Sequence, residues 1–235
     1  MSEQQPAEAL SGLSTAHLAD ACVRLGVPVR CGPAGLTPLS GGMRCAGRVL
    51  PARHVGSVDV FFEALDRARP GDVLVIDNAG RLDEACIGDL VVLEAQKAGL
   101  AGIVVWGLHR DTEELLRIGL PVLSLGVTPA GPLRVGARHP DGLVRADVGP
   151  WAVTADDVAV GDPDGVIFLP EAGIRQIAAA AAGIRDIEYR QAAAMRAGTS
   201  LREQTGFTRY LAAREADPEL TFREHLRAAG GAIEE

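Results

Sequence analysis

The chain has 235 residues, 47% of them apolar and 23% charged, the mix of one large globular domain or two small ones and not of a disordered chain. A net charge of −8 with only 4% aromatic residues argues against nucleic-acid binding, which needs a basic face or stacking platforms. No apolar run approaches the ~20 residues of a membrane helix, and no basic flank precedes an apolar core at the N-terminus, so a cytoplasmic protein with no membrane partner is expected.

Ser14 can cap a first helix that carries Leu18, Ala21, Cys22 and Leu25 on one face and ends at Gly26. Residues 27–42 are rich in Gly and Pro and read as loop, and 43–53 as a strand. Ser57 is the expected cap of a helix bearing Val60, Phe61, Ala64, Leu65 and Ala68, stopped by Pro70-Gly71. Residues 72–77 form a compact apolar strand, 88–98 a helix, 101–106 a strand, 110–117 a short helix and 120–125 a strand. Fully apolar strands alternating with helices predict a parallel α/β sheet. After Pro132 the pattern changes, and 143–148, 151–154, 157–160 and 165–169 read as antiparallel strands with tight turns. From Pro170 onward the chain is helical, over 172–197 and then near 201–214 and 218–228. This division predicts an α/β domain over 1–170 and a helical extension over 171–235. The extension is poor in bulky apolar residues, so it is expected to lie on the domain or against a neighbouring subunit. The four cysteines, Cys22, Cys31, Cys45 and Cys86, show no C-x-x-C spacing and are expected to be buried thiols.

Ligands of open α/β sheets bind outside the carboxyl ends of the strands. Three such ends carry polar residues: Asp77-Asn78-Ala79-Gly80-Arg81, Gly107-Leu108-His109-Arg110-Asp111, and Ser124 with Gly126. Gly88-Asp89-Leu90-Val91 opens a helix, where the amides of Leu90 and Val91 can face an anion. Two carboxylates, an arginine and free amides suit a metal-bound oxyanion. Asp89 and Asp111 equally suit ordinary helix starts, and His109 a structural role. Gly161-Asp162-Pro163-Asp164-Gly165 resembles part of a calcium loop but lacks the closing Glu, and reads as a β-turn. No GxxxxGK[ST], GxGxxG or GxSxG occurs.

The run GDVLVIDNAG, followed by ACIGDLVVLEAQKAGLAGIVVWGLHRDTEELLRIGLPVLSLG, resembles the family of regulator of ribonuclease activity A and 4-hydroxy-4-methyl-2-oxoglutarate aldolase. The likeness runs from the N-terminal helix to VGDPDGVIFLP, with PWAVTADD as its main departure. It implies a β/β/α swivelling sandwich assembled as homotrimers or homohexamers. The implied activity is that of a divalent-metal-dependent (class II) pyruvate aldolase acting on a 2-oxo acid substrate, often with oxaloacetate decarboxylation. Asp111 falls on the family's metal-ligand aspartate and Arg110 on the arginine at the oxo and carboxylate end of the substrate. Asp89 falls on the carboxylate that holds metal-bound water, and Leu90 and Val91 on the residues whose amides hold the pyruvyl carboxylate. Glu188 matches a glutamate that reaches the adjacent subunit's site. Few protein oxygens and several waters suit Mg²⁺ or Mn²⁺. The competing expectation is a non-enzymatic regulator that binds ribonuclease E. The long helical extension favours the enzyme.

Overall fold

The structure, a computed structural model, describes residues 6–228. It opens with α1 (Pro6–Ala9) and α2 (Thr15–Leu25). Ser14 caps α2 in a box with His17, and Gly26 ends it in the left-handed conformation. The Gly/Pro-rich loop contains two short strands, β1 (Arg30–Cys31) and β2 (Thr37–Pro38), which its composition hides. Next come β3 (Cys45–Arg53), α3 (Asp59–Leu65), β4 (Val73–Asp77), β5 (Ala85–Ile87) and α4 (Asp89–Lys97). They are followed by β6 (Gly102–Trp106), β7 (Leu108–His109), α5 (Thr112–Ile118) and β8 (Val122–Ser124). Ser57 is not the cap of α3. Val58 occupies that position, and the Ser57 hydroxyl bonds the Asp59 carboxylate, holding its pKa below the usual value.

The antiparallel part is β9 (Arg145–Val148), β10 (Trp151–Thr154), β11 (Asp157–Asp162) and β12 (Gly165–Pro170). Asp162 pairs with Gly165 across a tight hairpin turn. The buried Asp162 carboxylate is engaged within the fold. It accepts from the Thr15 amide (2.9 Å), Thr15 Oγ1 (2.7 Å), the Asp164 amide (3.0 Å) and Arg44 (3.2 Å). This ties the hairpin to the start of α2. The tail comprises α6 (Ile174–Arg196), α7 (Leu201–Gln204), α8 (Phe207–Ala216) and α9 (Phe222–Ala228). The helix expected over 201–214 is thus broken, because Gly206 sits at φ 63.

Eight strands form one sheet in the order β1-β12-β11-β3-β4-β6-β8-β2. β3, β4, β6 and β8 run parallel, and the strands flanking them are antiparallel. β1 and β2 therefore stand at opposite edges, yet only residues 32–36 separate them in sequence. That stretch reaches at most roughly 20 Å, so the sheet must curl until its edges come close. A Cβ at Gly161 on β11 would lie 2.9 Å from Leu123 Cδ2 on β8, which confirms contact across the interior.

Alternation along the strands divides the core into three. Val49, Val73, Val75, Val104, Leu123, Ala159 and Phe168 point into the curl, and Ala146, Val148 and Val153 of the β9–β10 hairpin pack with them. Leu50, Leu74, Ile76, Ile103 and Val105 point outward beneath α3, α4 and α5. Val158, Val160, Ile167 and Leu169 point outward beneath α2 and α6. Each fully buried large side chain, such as Phe61 or Phe168, contributes ~1.5–3 kcal/mol relative to exposure. Ile174, Ile177, Ala178, Ala181 and Ile184 of α6 are buried, whereas Tyr189 and Met195 further along it are exposed. α8 and α9 make a small aromatic cluster in which the rings of Tyr210 and Phe222 lie 4.9 Å apart and those of Phe207 and Phe222 5.4 Å apart.

Cys22, Cys45 and Cys86 are buried as expected, but Cys31 is exposed because β1 is an edge strand. All four are free thiols, and burial pushes Cys45 up to about 12. Among the described residues no helix is long and apolar enough to cross a membrane.

Candidate functional site

β5 and β7 stand beyond the carboxyl ends of β4 and β6 and pair with each other in parallel, Ala85 with Leu108 and Ile87 with His109. Gly88-Asp89 and Arg110-Asp111 follow these two strands directly. The short ladder therefore sets two segments, far apart in sequence, side by side. The Arg110 amide extends it by donating to the Ile87 carbonyl (3.0 Å).

Asp111 occupies the cap position of α5 at φ 61, ψ 39, a left-handed conformation, and its side chain makes no cap bond. That backbone costs an L-residue roughly 1–2 kcal/mol, less for Asp than for most. It turns the carboxylate away from its own helix and toward Gly88. A Cβ at Gly88 would displace Asp111 Oδ2 from its present place, so the glycine leaves room for this carboxylate position. The φ of Gly88, −143, is open to any residue. The Asp111 carboxylate makes only two polar contacts among the described residues, to the Asp89 amide and to Arg110 Nε, both at 3.4 Å. Arg110 is half exposed, and its guanidinium lies over Gly131, where a Cβ would sit 2.8 Å from Nη1. Both groups are loosely held and open to solvent.

The structure thus brings Asp89, Leu90, Val91, Arg110 and Asp111 to one place. One expectation changes. The Leu90 amide is already bonded to Asp89 Oδ1 (2.8 Å), so of the two amides only that of Val91 has no partner among the described residues. Glu188 is not brought to Arg110 and Asp111 within the chain. It lies on α6, its Oε2 3.1 Å from His17 Nε2 on α2, over the antiparallel end of the sheet.

Other polar strand ends serve the framework. Asp77 accepts from Arg53 Nε (3.0 Å), the Ala79 amide (2.8 Å) and the Asp147 amide (3.2 Å), fixing the β9–β10 hairpin. His109 is buried between Ser124 Oγ (2.8 Å from Nδ1) and Thr112 Oγ1 (3.0 Å from Nε2). Burial lowers its pKa. Sequence reasoning missed a buried polar group nearby, in which His54 bonds Asn78 (2.9 Å) and Glu84 meets Arg81 (3.2 Å) and Arg134 (3.5 Å). His54 stacks on Phe61 at 5.2 Å, and burial lowers its pKa as well. Asn78 and Arg81 read as part of a polar strand end, but no periodicity announces His54, Glu84 and Arg134, which lie outside the strands around it.

Among the described residues no three His, Cys, Asp or Glu side chains converge on a point. For a divalent cation held here, Asp111 offers one carboxylate, and water and substrate oxygens would complete the shell. The loosely engaged Asp111 carboxylate, in the cradle that Gly88 leaves open, fits a hard cation that keeps most of its waters, such as Mg²⁺ or Mn²⁺.

The structure is a mixed α/β fold with a curled sheet, and an arginine, two carboxylates and a helix N-terminus gather at its strand ends. The chain belongs to the RraA-like family (Aldolase/RraA), whose model matches residues 15–168. It is similar, at 34% identity over 57% of its length and 82% of the relative's, to a Thermus thermophilus protein named 4-hydroxy-4-methyl-2-oxoglutarate aldolase. A Halalkalibacterium halodurans protein provisionally given the same name is also 34% identical, over 52% of this chain, and the match spans only 59% of that relative. Among solved structures, a Streptomyces coelicolor protein described as an unusual member of the RNase ES inhibitor RraA protein family superposes with a TM-score of 0.66. It is 26% identical, with 80% of this chain and 96% of that one covered.

Proposed function

We propose that the chain is a class II aldolase that releases pyruvate from a 4-hydroxy-2-oxo acid with Mg²⁺ or Mn²⁺, and that the same site decarboxylates oxaloacetate. The observation that carries this reading is the left-handed Asp111, whose carboxylate is turned out of its helix cap to stand free beside Arg110. Arg110 binds the oxo-carboxylate end of the substrate and stabilises the negative charge that develops on its oxo oxygen. The Val91 amide, at the positive end of α4, receives the carboxylate. Asp89 holds or moves the proton exchanged at the hydroxyl and at the product carbon. The cation, when bound, supplies Lewis-acid stabilisation of the enolate. Chelation with EDTA should abolish pyruvate release from a panel of 4-hydroxy-2-oxo acids, and Mg²⁺ or Mn²⁺ should restore it. Full activity in chelator, with borohydride trapping of substrate on lysine, would replace this reading by a Schiff-base mechanism. Absence of turnover on every panel member, together with inhibition of a ribonuclease, would favour the regulator reading that the Streptomyces neighbour suggests.

The reading includes a site shared between subunits of a trimer or hexamer. Its support is the second half of α6, where Tyr189 and Met195 are exposed among the described residues, with Glu188 at the boundary. Closed symmetry would present this helix to each neighbour alike. Light scattering should give a trimer or hexamer. Mixing inactive Arg110→Ala and Glu188→Ala proteins should restore activity after subunit exchange, and a monomer or a lack of rescue despite exchange would remove the shared site.

A further inference from the structure

We propose that His109 is a positioning residue that holds Asp111 in its left-handed conformation and so sets the metal-binding carboxylate. This rests on the reading of Asp111 as the metal ligand. An aspartate at a helix cap ordinarily adopts an extended backbone and bonds the amides of its own helix. Asp111 does neither, so something else must hold the start of α5. That role falls to the imidazole. Its Nε2 meets Oγ1 of Thr112, the first residue of α5, and its Nδ1 meets Ser124 Oγ at the end of β8. Ser124 Oγ is fixed in turn by the Gly126 amide (3.2 Å) and carbonyl (3.3 Å). A chain of bonds therefore runs from β8 to the first turn of α5 and passes around Arg110-Asp111.

The backbone on the near side is equally fixed. The His109 amide donates to the Gly126 carbonyl (3.0 Å), its carbonyl accepts from the Thr128 amide (3.1 Å), and the Arg110 amide is held by Ile87. Both ends of the dipeptide are anchored, and the remaining path is closed by a left-handed residue. His109 touches no group that would contact substrate, and its ring is buried. Its place is behind the carboxylate, where outer partners tune the metal affinity of an inner ligand.

Three variants separate the two ring contacts. H109N puts an amide near the Nδ1 position and keeps only the Ser124 contact. H109Q puts one near the Nε2 position and keeps the Thr112 contact. H109F fills the space with neither. Mn²⁺ binding is read by electron paramagnetic resonance on the full chain, with no turnover required. H109N and H109F should bind Mn²⁺ about 10–100-fold more weakly than wild type, and H109Q within about threefold. A crystal structure of H109N should show Asp111 outside the left-handed region. Wild-type Mn²⁺ affinity in both H109N and H109F overturns the proposal, as does an unmoved Asp111 in H109N. If H109F fails to fold, the comparison of H109N with H109Q decides alone. Absence of Mn²⁺ binding by wild type, with Asp111 displaced in H109N, overturns the metal reading and leaves the positioning role standing.

Discussion

Arg110→Lys should lower kcat/KM for the 2-oxo acid by at least ~100-fold, about 2.7 kcal/mol of transition-state stabilisation, and leave the melting temperature unchanged. The stability half follows from the setting of the side chain. Arg110 is half exposed, and its ion contact with Asp111 is 3.4 Å long, the kind of surface pair worth little to the fold. The activity half follows from shape. Guanidinium offers a planar two-point contact to an oxo-carboxylate. A lysine ammonium keeps the charge but presents a single point. Turnover by the lysine variant at the wild-type rate would make Arg110 a framework residue.

Asp111→Gly should abolish turnover while making the protein more stable. Glycine adopts φ 61 without the steric cost borne by an L-residue, and after the entropy it adds to the unfolded chain a net gain of about 0.5 kcal/mol is expected, read as a rise of roughly 1–2 °C in melting temperature. The long contacts of the Asp111 carboxylate mean that little is lost with it. Asp111→Ala supplies the control. It also removes the carboxylate and activity, but it keeps a Cβ in the left-handed region and gains no stability. Equal stability of the two variants would show that the strain at this position is no larger than the conformational entropy glycine adds to the unfolded chain. Activity in either would show that the carboxylate is dispensable.

The parts of the fold visible in the sequence are those whose burial writes a continuous pattern. Residues 73–77 and 102–106 are apolar almost throughout because both faces of β4 and β6 are covered, and they were legible as parallel strands. β5 and β7 were not, since a strand of two or three residues is too short to display a period. β1 and β2 were lost in the Gly/Pro-rich stretch for the same reason. The resemblance implied a β/β/α swivelling sandwich, and the curl of the sheet came only from the structure, because no local pattern states which edges meet. At the site, Arg110 and Asp111 stood out as polar residues following an apolar strand, and Asp89 as the opening of a helix. The left-handed backbone of Asp111, the close approach at Gly88 and the engaged Leu90 amide are properties of packing, and the residue types alone carry no sign of them. The aromatic contacts of α8 and α9 join residues separated by a turn, so the alanine-rich composition of the tail concealed them.

The short segment that carries β1 and β2 to opposite edges of the sheet also governs the order of assembly. β1 pairs with β12, Arg30 opposite Phe168, and β3 must find β11, Ala46 opposite Val160. Both ladders join the beginning of the domain to its end. As the chain leaves the ribosome, the parallel strands β3, β4, β6 and β8 can associate early, but their neighbours arrive last. Until then the inward faces of Val49, Val73, Val75 and Val104 lack the covering that Phe168 and the β9–β10 hairpin provide. Pairings of such long sequence separation place this topology among slow-folding ones, on the order of milliseconds to seconds, with a partly open half-sheet as the species most exposed to misassociation.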